Sequence, residues 1–355
     1  MKILITGGCG FVGSNLAISL KQKYQDSEIV CFDNLHRKGS ELNVPRLKEA
    51  QIEVLIADVR NPTDFKSVSG ADIVIDAAAE PSVIAGIDSN PDYLVHTNFI
   101  GTYNTLEFAR KHNSLFIFLS TSRVYPIEPL EKLNYTEADS RFILSKDQSV
   151  AGVSEYGISE DFPLSGYRSL YGSTKLSSEL LVEEYSKLFG LKTLINRCGV
   201  LTGPHQMGKV DQGVVVLWMA KHYWKRELSY IGYGGKGKQV RDILHVTDLF
   251  ELLDIQIQNI GELNGQIFNV GGGTETSISL LELTKWCENI TGNKISIKSV
   301  PENRPADIPI YITDCRKVQQ LCNWTPSRNV ETTMKEIYTW ISGNEKELKS
   351  ILDLN

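Results

Sequence analysis

No apolar run in this sequence reaches the roughly twenty residues a helix needs to cross a bilayer. The first strand-like segment begins at Lys2, which leaves no room for a cleavable signal, so a cytoplasmic setting is expected. An excess of basic charge is also missing. Against 37 Lys and Arg stand 43 Asp and Glu, for a formal net charge of −6. No basic face is signalled, and a nucleic-acid partner is not expected. The six cysteines, at 9, 31, 198, 287, 315 and 322, form no C-x-x-C pair and no cluster with histidine. That spacing fits free thiols in a reducing compartment better than disulfides or a zinc site, and no metal site is expected. Nor is there an internal repeat. What is present is a chain of 355 residues, 41% hydrophobic and 23% charged. It is long enough for one large α/β domain with a smaller one, or for two of similar size.

The first thirty-three residues organise the rest. Lys2-Ile3-Leu4-Ile5-Thr6 is a continuous apolar run of the kind found in buried parallel strands. It enters Gly7-Gly8-Cys9-Gly10-Phe11-Val12-Gly13, after which Val12, Leu16 and Leu20 recur at helical spacing. A second strand, Glu28 to Phe32, ends at Asp33. Gly7 permits a tight turn, Gly10 a close approach to a pyrophosphate, and Gly13 close packing of helix on sheet. The pyrophosphate is then expected on the helix N-terminus, across Phe11, Val12 and Gly13. Asp33 is suited to an adenosine ribose diol and would repel a 2′-phosphate. The pattern predicts a dinucleotide site, with NAD favoured over NADP although Arg37 and Lys38 follow.

Strand and helix continue to alternate. Glu53 to Ala57 is a strand running into Asp58-Val59, placed to hold an adenine edge. Ala71 to Asp76 is another, followed by Ala77-Ala78-Ala79, small residues against which a cofactor can lie. Residues 91–112 read as a long helix, Leu115 to Leu119 as a strand, 168–189 as a second long helix and Thr193 to Arg197 as a strand. That alternation demands a parallel, doubly wound sheet of Rossmann type with right-handed crossovers. The polar stretch 126–166 is too long for an ordinary connection and reads as a cover or a disordered insertion. The expected division is a dinucleotide-binding domain over 1–200, with parts of 240–265 returning to it, and a smaller α/β substrate domain over 201–345. Ser279 with Glu282 predicts a capping box on a helix reaching about Ile290.

Tyr171-Gly172-Ser173-Thr174-Lys175 sets Tyr and Lys four apart, on one helix face. A phenol near pKa 10 is a poor base at neutral pH, and a nearby ammonium favours its phenolate. Thr121, at the carboxyl end of a strand, is placed to hydrogen-bond the same substrate hydroxyl. The trio suits hydride chemistry, in which Tyr171 moves the proton while nicotinamide moves the hydride.

Gly7 to Gly13, Asp33, Asp58, Thr121 and Tyr171 with Lys175 together resemble the extended short-chain dehydrogenase/reductases that modify nucleotide sugars, over nearly the whole chain. Phe32-Asp33-Asn34-Leu35 with Arg37-Lys38-Gly39, Asp211-Gln212-Gly213, Gly237 to Asp242 and Ser279 to Leu283 are similar to the CDP-paratose 2-epimerases. That resemblance implies tightly held NAD, a CDP-linked sugar and a homodimer or homotetramer, with the two long helices at a four-helix interface. Dehydratases of the superfamily follow the catalytic Thr with Asp-Glu; Ser122-Arg123 stands here, so water elimination lacks its proton carriers. Two further departures are Pro126, where the family often has Gly, and Asp76, where a histidine is common.

In a 2-epimerase of this kind no carbonyl adjoins C2, so its hydrogen is not acidic. The resemblance therefore implies transient oxidation at C2, reorientation of the ketone and reduction on the opposite face. By resemblance Arg241 and Arg304 are candidates for the diphosphate, a role that guanidinium geometry suits. Arg241 has an acid-pairing alternative. Ser122, Arg123, Asn196, Gln212 and Gln239 complete the substrate candidates, and Asn34 and Asn98 the cofactor ones; a plain loop is the alternative for Gln212 and a polar helix position for Asn98. Competing readings are a UDP-hexose 4-epimerase, a net reductase, or a catalytically silent NAD(H) sensor.

Overall fold

Four strands that the sequence marks as apolar run side by side in one parallel layer: β1 (Lys2–Thr6), β2 (Glu28–Asp33), β3 (Glu53–Ile56) and β4 (Ile73–Asp76). In the computed structural model, which describes residues 1–86, 90–208 and 212–353, they join β5 (Leu115–Thr121), β6 (Thr193–Cys198) and β8 (Gln266–Val270). The seven-stranded order is β8-β6-β5-β4-β1-β2-β3. From β1 the chain winds outward to β3, then returns to place β4 on the other flank of β1. The winding reverses there, so the turns after β1 and β4 flank a crevice at the carboxyl edge. β5 is buried throughout, whereas Ile56 at the end of edge strand β3 is 63% exposed. The core on one face gathers Leu4, Val30, Phe32, Val74, Phe116, Phe118, Val182 and Ile195.

Helices cover the sheet. α1 (Phe11–Lys23) follows β1, α2 (Gly101–His112) precedes β5, and α3 (Leu170–Phe189) precedes β6. The helix expected over 91–112 is interrupted: Asp92–Val95 and α2 are joined by a π turn, His96–Ile100. The Ser169 side chain caps α3 by accepting the Gly172 N–H, and Gly190 ends it in the left-handed region at φ 67.

The chain forms two compact units. The first holds 1–124, 169–197 and 249–268; the second holds 125–168, 198–248 and 269–355. The stretch 125–168 therefore belongs with the second unit rather than with residues 1–200, and it is folded. Its antiparallel pair Tyr135–Glu137 and Phe142–Leu144 donates the Phe142 N–H to the Lys238 carbonyl at 3.0 Å. Phe142, Leu144, Ile158 and Phe162 are buried apolar anchors inside a mostly polar segment.

The second unit contains β7 (Val240–His245), α4 (Val214–Tyr223) and α5 (Leu280–Thr291). The capping box is present: Ser279 Oγ accepts the Glu282 N–H at 3.0 Å and Glu282 Oε2 accepts the Ser279 N–H at 3.0 Å. On α4 the His222 ring is fully buried, with Nδ1 2.8 Å from the Trp218 carbonyl and Nε2 without a partner. Burial pushes its pKa below the usual 6.5. A depressed histidine pKa means the unfolded chain takes up the proton first. The stability His222 provides is thus complete above about 6.5 and falls as pH drops below that value. Thermal unfolding at pH 7.5 and pH 5 is expected to show the loss in the native chain and a smaller one in His222→Asn.

Candidate active site

The glycine turn is built as a cradle. Gly7 sits at φ +63, and a Cβ there would lie 2.8 Å from the Ala77 carbonyl oxygen and from Ala78 Cα, which ties the turn after β1 to the turn after β4. A Cβ on Gly13 would lie 2.2 Å from the Gly7 oxygen, so α1 packs on the turn at a distance only glycine allows. At Gly10 a Cβ would meet only the Gly7 oxygen, at 3.1 Å. α1 starts at Phe11 with no side-chain cap and no acid in its first turn, leaving the N–H groups around Phe11, Val12 and Gly13 to an anion. Gly13→Ala is expected to cost about 1–3 kcal/mol through overpacking. A lower melting temperature and less bound dinucleotide in the purified protein check this.

Asp33 closes the other side of the turn. Its Oδ2 accepts the Cys9 N–H at 3.0 Å and its Oδ1 accepts the Leu35 N–H at 2.8 Å. Burial raises its pKa and these backbone donors oppose the rise. Each oxygen keeps a lone pair for a ribose hydroxyl. Asn34 donates to Asp58 Oδ2 at 3.0 Å and accepts the His36 N–H at 3.0 Å. Asp58, the candidate for an adenine edge, has a charged partner of its own. Arg60 grips its carboxylate at 2.5–3.0 Å and holds its pKa down to about 2. The Arg60 guanidinium lies 4.7 Å over the Tyr93 ring, which stacks on His36 at 4.1 Å. Val59 is buried against the position of Gly101; Arg37 is half-buried and Lys38 exposed. Ala77, Ala78 and Ala79 are half-buried as the chain leaves β4.

Thr121, the last residue of β5, is 8% exposed, and its Oγ1 accepts the Arg123 N–H at 3.2 Å. Ser122 and Arg123 continue from it as a half-buried turn. Tyr171 and Lys175 lie in the first turns of α3 and are 8% and 2% exposed. Lys175 Nζ stands 4.0 Å from the centroid of the Phe118 ring on β5. An unforeseen clamp lies beneath. Glu179, one turn beyond Lys175, accepts the Ser120 hydroxyl at 2.5 Å and pairs with Arg197 of β6 at 2.8–3.1 Å, all three side chains being buried.

The family model "NAD dependent epimerase/dehydratase family" matches residues 3–271. The chain belongs to the NAD-dependent epimerase/dehydratase family. CDP-paratose 2-epimerase of Salmonella typhi is 32% identical over 96% of this chain and 99% of that protein. A putative UDP-glucose 4-epimerase of Methanocaldococcus jannaschii is 27% identical over 97% and 99%. In fold, the chain is similar to UDP-glucuronic acid 4-epimerase of Bacillus cereus, solved with UDP-glucuronic acid and NAD, at a TM-score of 0.78 and 23% identity over 97% and 99%. This member of the epimerase/dehydratase family is thus an NAD-dependent enzyme on a doubly wound α/β frame. Its uncapped α1 N-terminus and glycine cradle fit the pyrophosphate of NAD. No described helix is long and apolar enough to cross a membrane.

Two candidates are corrected. Asn98, in the π turn, has no exposed surface. Its Oδ1 accepts the Glu80 N–H at 2.8 Å, and its Nδ2 donates to the Glu80 carbonyl and to Thr174 Oγ1. It fastens the turn after β4 to α3 instead of touching the cofactor. Asn196 is equally buried, in a reciprocal amide pair with Gln256 at 2.9 Å, and does not face a substrate.

The remaining substrate candidates lie in the second unit. Arg241 donates to Asp307 Oδ1 at 3.0 Å and to the Ile308 carbonyl at 2.6 Å, so an acid partner is present. Gln239 donates to the Ile231 carbonyl at 2.9 Å, while its buried Oε1 has no partner. Gln212 and Arg304 are half-buried, and Asp211 lies outside the described residues.

Proposed function

We propose that this enzyme is a 2-epimerase of a CDP-linked deoxysugar that converts CDP-paratose to CDP-tyvelose. The observation that carries the reading is near-full-length likeness, at 32% identity, to a CDP-paratose 2-epimerase. The Asp211–Gly213 and Gly237–Asp242 segments support it over a UDP-hexose 4-epimerase, the second reading, which the Methanocaldococcus relative favours. NAD, when bound, supplies a hydride acceptor and donor. The chain's own residues do the rest. Tyr171 takes the sugar hydroxyl proton and later returns it. Lys175 stabilises the phenolate by its charge. Thr121, whose Oγ1 accepts the Arg123 N–H, donates its hydroxyl proton to the substrate oxygen. Gly7, Gly10, Gly13 and Asp33 hold the cofactor, Arg241 and Arg304 the diphosphate, and Gln212 and Gln239 the nucleotide sugar. Ser122-Arg123 carries no acid/base pair, which argues against dehydration. Tyr103 on α2 and Leu180, Leu188 and Phe189 on α3 are exposed apolar side chains, and we place a homodimer contact there.

The deciding experiment is proton NMR of the purified protein with CDP-paratose and no added cofactor. Growth of the C2 epimer to equilibrium supports the reading. Turnover of a UDP-hexose with none of CDP-paratose would overturn it in favour of the 4-epimerase.

A further inference from the structure

One buried carboxyl beside the helix that carries Tyr171 and Lys175 has not yet been given a role. Thr6, Asp76 and Phe118 stand in register across β1, β4 and β5, so their side chains share one face of the sheet. Asp76 is 1% exposed. Its Oδ1 accepts the Thr6 hydroxyl at 2.5 Å, and its Oδ2 lies 2.8 Å from Thr102 Oγ1 of α2. Thr6 Oγ1 in turn accepts the Ala78 N–H at 3.3 Å. Lys175 enters the same row from α3, with Nζ 4.0 Å from the Phe118 ring that neighbours Asp76.

An ammonium so deeply buried is unfavourable without an opposite charge. Glu179 on the same helix face is spent on Arg197 and Ser120. Asp33 is held by the Cys9 and Leu35 N–H groups. Asp76 remains. Burial pushes its carboxyl up, and the Lys175 charge leads the influences that pull it back, ahead of the two threonine hydroxyls. The groups around Asp76 are therefore Lys175 as the charge, with Thr6, Thr102 and the Ala78 N–H as donors.

We propose that Asp76 is the counter-charge that keeps Lys175 an ammonium and thereby makes Tyr171 a usable base, an inference that rests on the reading of Tyr171 as the base. Asp76 is a positioning residue: it acts through Lys175.

The test titrates the Tyr171 phenolate by ultraviolet difference absorbance, native protein minus Tyr171→Phe, in the full-length chain with its bound NAD. Asp76→Asn preserves shape and removes the charge. It is expected to move the titration about one pH unit or more upward, and the acid limb of the kcat profile with it. Lys175→Met is expected to move it further, and the double variant no further than Lys175→Met alone, since Asp76 works through that lysine. Thr102→Val, a milder change that guards against misfolding of Asp76→Asn, is expected to shift the titration the same way by less. An unchanged titration in both folded variants, a downward shift, or shifts that add in full would overturn the proposal. The titration needs no sugar. Failure to turn over CDP-paratose therefore counts against the substrate reading alone, and retained activity in Tyr171→Phe against that tyrosine as base.

Discussion

Tyr171→Phe is expected to fold, retain NAD and lose about 10²–10⁴-fold in kcat. The side chain is 8% exposed at the start of α3 and the two rings have nearly the same volume, so packing changes little. On the proposed reading what vanishes is the proton acceptor, and neither Lys175 nor Thr121 replaces it. The Lys175 ammonium has three donors and no acceptor. Thr121 is an alcohol whose oxygen already receives the Arg123 N–H. The proposed diphosphate and sugar contacts lie on other residues, so KM is expected to stay within a few-fold while kcat falls, the pattern of an interaction made only in the transition state. Initial rates by NMR across a substrate series, with a melting curve as control, measure both. A variant within tenfold of the native rate would remove Tyr171 from the base role.

Much of the site's frame was legible because its signals are local. The run Lys2–Thr6, the spacing of Gly7, Gly10 and Gly13, and Asp33 at the end of β2 each follow from neighbours in sequence. Tyr171 and Lys175 share a face because a helix sets the interval. The misreadings have the opposite cause. Asn98 looked available because helical periodicity carries no mark of the π turn that buries it. Asn196 meets Gln256, sixty residues on, and nothing beside either residue announces the pair. The polar composition of 125–168 hid the few apolar anchors, Phe142, Ile158 and Phe162, that fold it into the second unit. Asp76 stood out in the sequence only as a departure from the histidine common at that strand end. Its partners come from three different elements.

The largest stability effect is expected from Arg197→Met. It strands the Glu179 carboxylate, 2% exposed, with the Ser120 hydroxyl as its only remaining partner among the three clamp residues. Removing one member of a buried ion pair costs about 3–5 kcal/mol. The double variant Glu179→Leu/Arg197→Met removes both charges and is expected to recover most of that loss, because an apolar pair of similar volume avoids the desolvation of two ions. Activity should not recover in parallel. Ser120 immediately precedes Thr121, and through Glu179 it is tied to α3, which carries Tyr171 and Lys175. Without the carboxylate, a buried hydroxyl at the end of β5 loses its acceptor, and the register between that strand end and the helix loses the charged tie that Glu179 supplies. Regained melting temperature with a persistently low kcat is therefore the expected signature of a clamp that aligns the site. Parallel recovery of both would reduce the pair to a stabilising contact.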